Sequence, residues 1–321
     1  MEVMEEPDDL LLLRSAVNAD AALRSGVTTL RDNGGRGETT LSLKRALEAG
    51  VSAGPRLNLC GWPITITGGH CWPMGGEADG VDGVRTAVRY AIKQGVDYIK
   101  VMATGGSTPN TFPFLPSYTL EELRSIVDEA HRFGKLVGVH CRCTAGVVNV
   151  LDAGAGMLIH CTLREADGSW RFRLDVAERI AETGMWVNLT LHVVRGTYWA
   201  LRDRREAEGP SPELDADMEA AKKDWEDHLE NCRQLIKAGA RMVAGGDTGW
   251  SYFRFGEFAY EVEALLSAMR DAAASLGMAD LVGTLEAGKE ADILVVKGNP
   301  LDNLLELLNV EAVFKGGERV V

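Results

Sequence analysis

Short apolar runs alternate with amphipathic stretches along almost the whole chain. Seven runs read as strands: residues 27–31, 56–61, 97–103, 136–141, 157–162, 185–191 and 241–247. Between them, 40–49, 80–94, 120–133, 144–153, 173–182 and 215–237 carry helical periodicity. Thr119 ahead of Glu122 has the spacing of a capping box, Ser211-Pro212 opens a charged helix, and Gly95 closes another. Recurrent strand–helix units predict a parallel sheet with helical crossovers. Polar or glycine-rich residues follow the strands at Asp32-Asn33-Gly34-Gly35, Thr104-Gly105-Gly106-Ser107, His140-Cys141-Arg142-Cys143 and Asp247-Thr248-Gly249. Active sites of barrels lie at that carboxyl end, so the pattern predicts an α/β fold of the (β/α)8 TIM-like type with one strand too few. Residues 1–25, with Leu10-Leu11-Leu12-Leu13, read as the first barrel helix, and the acidic stretch 202–223 as a solvated helical excursion forming a lid. Barrel patterning ends at 279. Over 280–321 the chain reads as short strands turning at Gly298-Asn299-Pro300 and Lys315-Gly316-Gly317, too few for an independent β domain.

Four ionisable residues interrupt the apolar runs: Lys100, His140, His160 and Asp247. Side chains alternate along a strand, so Lys100 and Met102 share one face while Ile99 and Val101 share the other. Val139 likewise opposes His140, and Ile159 opposes His160. Isolated ionisable groups are costly to bury in apolar surroundings. Four on successive strands therefore point to a polar or metal site, and two imidazoles, a carboxylate and a modifiable lysine suit a metal hydrolase. His140 and His160 are candidate ligands for zinc or a similar ion, against the plainer reading of two hydrogen-bonded core histidines. Lys100 has three open readings: a carbamate able to bridge two metals, a lysine paired with Asp247, or a desolvated amine that forms a Schiff base. His70 after Gly68-Gly69, Arg142 two residues past His140, and His192 at the end of the sixth run are candidate substrate contacts. Arg142 would take a substrate carboxylate through a bidentate contact. By alternation Cys141 and Cys161 turn away from the site and pack in the core.

Composition narrows the partners. A net charge of −13 argues against nucleic acid or an anionic membrane surface. No apolar stretch is long enough for a membrane helix, and the acidic start lacks a signal-peptide pattern. The six cysteines have no regular spacing and read as reduced thiols, which places the chain in the cytoplasm by expectation. A small-molecule substrate is expected, and a homo-oligomer is compatible with the sequence.

The segment Gly283-Thr284-Leu285-Glu286-Ala287-Gly288-Lys289-Glu290-Ala291-Asp292-Ile293-Leu294 resembles the C-terminal signature of the amidohydrolase superfamily. Gly26-Val27-Thr28-Thr29-Leu30-Arg31-Asp32, Ile66-Thr67-Gly68-Gly69-His70, Ile99-Lys100-Val101-Met102-Ala103-Thr104 and Gly246-Asp247-Thr248-Gly249 resemble its imidazolonepropionase-like and Xaa-Pro dipeptidase-like branch. The resemblance implies a distorted (β/α)8 barrel, metal-dependent hydrolysis of amide bonds and a small β-sandwich domain. It implies a carboxylated lysine at Lys100, ligands at His140 and His160, and Asp247 as both metal ligand and general acid/base. One or two divalent ions, zinc first, are implied with them.

The superfamily's His-x-His pair on the first strand is absent from the sequence. The expectation is therefore a barrel lacking its first strand, with residues 280–321 a remnant of the small β domain, and a further shortening near Met269-Arg270-Asp271. The expected substrate is a dipeptide, an N-acyl amino acid or a cyclic amide. A catalytically inactive relative and a Schiff-base aldolase using Lys100 are the competing expectations.

Overall fold

The structure is a computed structural model that describes residues 6–249, 253–265, 280–282 and 284–321. The shortening expected near Met269-Arg270-Asp271, and Gly283 of the C-terminal signature, lie outside the described residues. Each of the seven expected runs contains a strand: β1 Thr29–Asp32, β2 Arg56–Leu59, β3 Ile99–Met102, β4 Val137–Cys143, β5 Met157–Arg164, β6 Trp186–Asn188 and β7 Arg241–Met242. They form a parallel pair, β1-β2, and a five-stranded sheet in the order β3-β4-β5-β6-β7. The β3-β4, β4-β5 and β5-β6 pairings are all parallel. The connection after β2 also pairs with β3: Ile64 N donates to Lys100 O at 2.8 Å, and Met102 N donates to Ile64 O at 2.9 Å.

The helices are α1 Asp8–Arg24, α2 Thr39–Glu48, α3 Gly80–Lys93, α4 Leu120–Arg132, α5 Thr144–Ala153, α6 Leu174–Thr183, α7 Leu191–Glu208, α8 Pro212–Lys237 and α9 Phe258–Ala264. The start of α4 is the expected capping box, with Thr119 and Glu122 each bonded to the other's backbone. Gly95 follows α3 with φ +87°, the left-handed turn only glycine takes without strain. Helices α3 and α4 are tied by Glu129 of α4, a nearly buried carboxylate that accepts from Arg89 at 2.7 Å and Arg132 at 3.0 Å.

Two expectations change. The run 185–191 is a strand only to Asn188; Thr190 turns left-handed at φ +51°, and Leu191 and His192 begin α7. The acidic stretch 202–223 is not one excursion but parts of two helices that break at Gly209, with Pro212 opening the second. Arg205 pairs with Asp215 across that break. Ser211 Oγ accepts from Leu214 N at 3.2 Å, the cap that the Ser-Pro sequence foretold.

The fold groups into two compact units. The first holds 1–23, 27–188 and 238–241; the second holds 24–26, 189–237 and 242–321. The second contains the antiparallel sheet β10-β9-β8, made of β8 Ile293–Val296, β9 Val310–Lys315 and β10 Glu318–Arg319. Among the described residues no helix is long and apolar enough to cross a membrane.

Candidate active site

Three imidazoles meet in the first unit. The ring of His140, on β4, lies 4.5 Å from that of His70 and 4.7 Å from that of His160, centroid to centroid. His70 and His140 are buried, and so is Lys100 on β3, 3% exposed. Lys100 Nζ lies 3.5 Å from Met102 Sδ, as expected for two residues on one strand face. Burial holds His140 well below the usual histidine range, reinforced by the neighbouring His160, His70 and Lys100. His70 is pushed down to about 3, first by burial and then by the charges of Lys100 and Arg142. Both are therefore neutral at pH 7.

Their tautomers and orientations come from the loops. His140 Nε2 lies 2.9 Å from Gly105 O, and a carbonyl only accepts, so Nε2 carries the proton and Nδ1 is the lone-pair atom. His70 Nδ1 is bonded to Thr108 Oγ1 at 2.8 Å, and the same oxygen accepts from Cys71 N at 3.0 Å. Gly106 allows this loop to close: a Cβ there would sit 2.5 Å from the His70 ring. Arg142, on β4 past His140, is held by its backbone, with N donating to Thr104 Oγ1 at 3.2 Å.

Strand alternation does not run undisturbed to the site. His160 and Cys161 have φ +71° and +44°, a left-handed bend inside β5. Non-glycine residues in that region carry roughly 1–3 kcal/mol of strain each, and such outliers cluster at functional sites. Cys141 and Cys161 are buried, as expected, and burial pushes both thiols up, away from the thiolate that binds metals. Asp32, at the end of β1, stands among the polar strand ends of the sequence but not among its candidate site residues. Burial raises its carboxyl to about 6 although Gly34 N donates to it at 3.0 Å.

The second unit holds the other two candidates. Asp247 has φ +51°, and the preceding Gly246 is obligatory, since a Cβ there would fall 1.7 Å from Phe253 Cε1. His192 is buried in the first turn of α7, its ring 4.4 Å from Phe253 and 5.1 Å from Tyr260. Arg195 Nε donates to His192 Nδ1 at 3.0 Å, which leaves Nε2 as the protonated nitrogen. Burial and Arg195 lower its pKa to about 4.

Glu261 of α9, fully buried, was also missed. Its two oxygens accept from Leu191 N at 3.2 Å and His192 N at 2.7 Å. Burial raises its carboxyl to about 7 against the opposing hydrogen bonds from the N–H groups of His192, Leu191 and Gly245. A signal was present, because Phe258, Glu261 and Leu265 share one helical face in an otherwise apolar row.

Among the described residues, no group of three or more His, Cys, Asp or Glu side chains is placed to hold a metal ion. The donor chemistry still suits one in part. His140 is neutral with Nδ1 as its lone-pair atom, the state a ligand needs. Lys100 as an ammonium opposes a cation beside these rings; as a carbamate it would supply oxygens and reverse the sign of its charge.

Residues 3–320 match the Amidohydrolase family. Ochratoxinase from Aspergillus niger is 30% identical over 339 residues, a match that covers 92% of this chain and 66% of that protein. A solved Xaa-Pro dipeptidase with methionine in its active site superposes with a TM-score of 0.82 at 26% identity, covering 97% of this chain and 79% of that one. A prolidase complexed with N-methylphosphonate-L-proline superposes at 0.80 with 28% identity, covering 99% and 81%.

Proposed function

The chain belongs to the amidohydrolase family, whose members generally bind a divalent metal, and we propose that it hydrolyses the amide bond of a small carboxylate-bearing substrate. A dipeptide or an N-acyl amino acid fits this reading, and a cyclic amide is the neighbouring class. One observation carries it: His70, His140 and His160 lie in ring contact beside buried Lys100, with His70 and His140 held neutral in a parallel α/β fold. The fold that goes with the reading is a (β/α)8 barrel in which β1 to β7 correspond to the second through eighth strands.

His140, His160, Lys100 as its carbamate, and Asp247 are the proposed ligands, with zinc as the first choice of ion. When bound, the ion supplies Lewis acidity, which favours negative charge on oxygen at the reacting carbonyl and on water. The chain's own residues do the rest. Asp247 takes a proton from the attacking water and delivers it to the leaving nitrogen as the C–N bond breaks, giving a carboxylic acid and an amine. His70, kept neutral, donates or accepts a hydrogen bond at the substrate without adding charge. Arg142 takes the substrate carboxylate, and its charge acts on His70. His192 presents the Nε2–H that Arg195 enforces.

The test is turnover of Met-Pro and N-acetyl-methionine by the zinc-loaded chain, with and without a chelator. Hydrolysis that the chelator abolishes and that Asp247→Asn lowers by about 10²–10⁴ supports the reading. A carbonyl substrate trapped on Lys100 by borohydride, with turnover indifferent to chelation, would instead make the protein a Schiff-base aldolase. Retained metal with no turnover would make it a binding relative.

A further inference from the structure

We propose that Glu261 is a positioning residue that holds the segment carrying Asp247 to the first turn of α7, fixing where Asp247 and His192 stand for proton transfer. The proposal rests on the hydrolase reading for its catalytic consequence, but its geometry is independent of that reading. Glu261 lies on α9, is 0% exposed, and is adjacent in sequence to neither segment. Its carboxylate receives N–H groups from two places far apart in sequence: Leu191 and His192 at the start of α7, and Gly245 two residues before Asp247.

Three donors on two oxygens call for a carboxylate, the form Glu261 takes as pH rises through about 7. An amide has one accepting oxygen, and its NH2 would face a backbone N–H. A neutral cap on α7 alone would need only one acceptor, and the charge at a helix N-terminus adds a favourable interaction with the helix dipole. The cost of burying that charge is incurred where a shorter local cap would have served one helix, so the second tether is what Glu261 adds. A parallel chain of contacts reinforces it. His192 packs on Phe253, and Phe253 lies against Gly246, where no side chain fits. The left-handed φ of Asp247 is the kind of strained conformation that persists only when its surroundings over-determine it.

The experiment compares the full zinc-loaded chain with Glu261→Gln, reading amide hydrogen exchange residue by residue and Met-Pro hydrolysis. The expected result is exchange at Leu191, His192 and Gly245 faster by at least about tenfold, with Val139 of β4 unchanged. With it, kcat falls about 10–100-fold, the range for outer partners of catalytic groups, while KM stays within about threefold. A change in KM alone, or faster exchange with unaltered kcat, would overturn the positioning role. Unaltered exchange would overturn the tether itself. If the wild-type chain hydrolyses no amide, the hydrolase reading fails while the exchange result still decides the tether. Should Glu261→Gln not fold, Glu261→Asp keeps the charge but shortens the reach. It should free the Gly245 amide while leaving α7 capped, and equal protection of all three amides in that variant would count against the proposal.

Discussion

The two regions that hold the candidate residues are built by opposite logic. In the first unit, His140 and His160 come from neighbouring strands, His160 at a left-handed bend in β5, and His70 joins them from a loop. In the second, His192 and the Gly245–Asp247 segment are arranged around one buried carboxylate from a different helix. The first region is a cluster of imidazoles, two of them brought together by adjacent strands and two, His70 and His140, held neutral; the second is a scaffold of backbone N–H groups grouped by an acid. Register places lone pairs where a cation can be met, whereas a buried acid fixes loops that register cannot reach.

The largest effect should come from breaking the first region. His140→Asn with His160→Asn removes two of the three clustered imidazoles and leaves the second unit intact. Bound zinc should fall from stoichiometric to background by elemental analysis, with hydrolysis reduced by about 10³-fold or more. Unchanged metal content in this double variant would move the metal site away from β4 and β5.

Acid distinguishes the regions next. His70 titrates at about 3 in the folded chain against 6.5 in the unfolded chain, and His140 is lowered in the same direction. The unfolded state therefore binds protons first, and stability is lost as pH falls from 6.5, by ~2 kcal/mol for His70 at pH 5. In the second unit, His192 at about 4 acts in the same direction, but Glu261 at about 7 acts oppositely. The folded state holds an extra proton on Glu261 between about 7 and 4.5, so its contribution is greatest below 4.5 and is lost as pH rises through 7. Between 4.5 and 6.5 the two nearly cancel. Hydrogen exchange at pH 5 should show β4 and β5 opening before α7; equal loss in both units would break the contrast.

Legibility in the sequence divides along the same line. The seven strand runs, the Thr119 cap, the Ser211-Pro212 start and the turns of the C-terminal sheet were all readable, because each depends on residues a few positions apart. The pairing of His140 and His160 in one cluster was readable from alternation. The left-handed bend at His160 and Cys161 was not, since no propensity favours it there. The apolar run 185–191 that precedes His192 reads as a strand throughout, and only tertiary contacts turn Thr190 and start a helix at Leu191. Thr108, Gly105 and Glu261 act through backbone or loop contacts between 35 and 70 residues apart, a distance over which a single sequence gives no pattern.

Each region also has a glycine packed against one of its key rings or their neighbours, and Gly246 and Gly106 give a matched pair of substitutions. Gly246→Ala sets a methyl against Phe253, and Gly106→Ala sets one against the His70 ring. Both should lower stability by about 1–3 kcal/mol in denaturant melts. The second should shift the His70 ring resonances by NMR, and the first those of His192. If neither substitution moves its ring's resonances, the two glycines do not set those ring positions.

The smallest effect concerns two helix starts. Helix α4 is capped by its own Thr119, whose side chain accepts from Glu122 N at 3.3 Å, within one turn of chain. Helix α7 begins at Thr190, which makes no side-chain cap and whose hydroxyl donates instead to Leu189 O at 2.7 Å. Its N–H groups are served by Glu261, about seventy residues away in sequence. Thr119→Ala should therefore cost ~1 kcal/mol, confined to fraying of α4, with no change in hydrolysis. Thr190→Ala deletes no cap bond, and the protection of Leu191 and His192 should survive it because the acceptor lies elsewhere. If Thr190→Ala frays α7 as Thr119→Ala frays α4, the start of α7 is locally capped after all, and the remote carboxylate loses the role that sets the second region apart from the first.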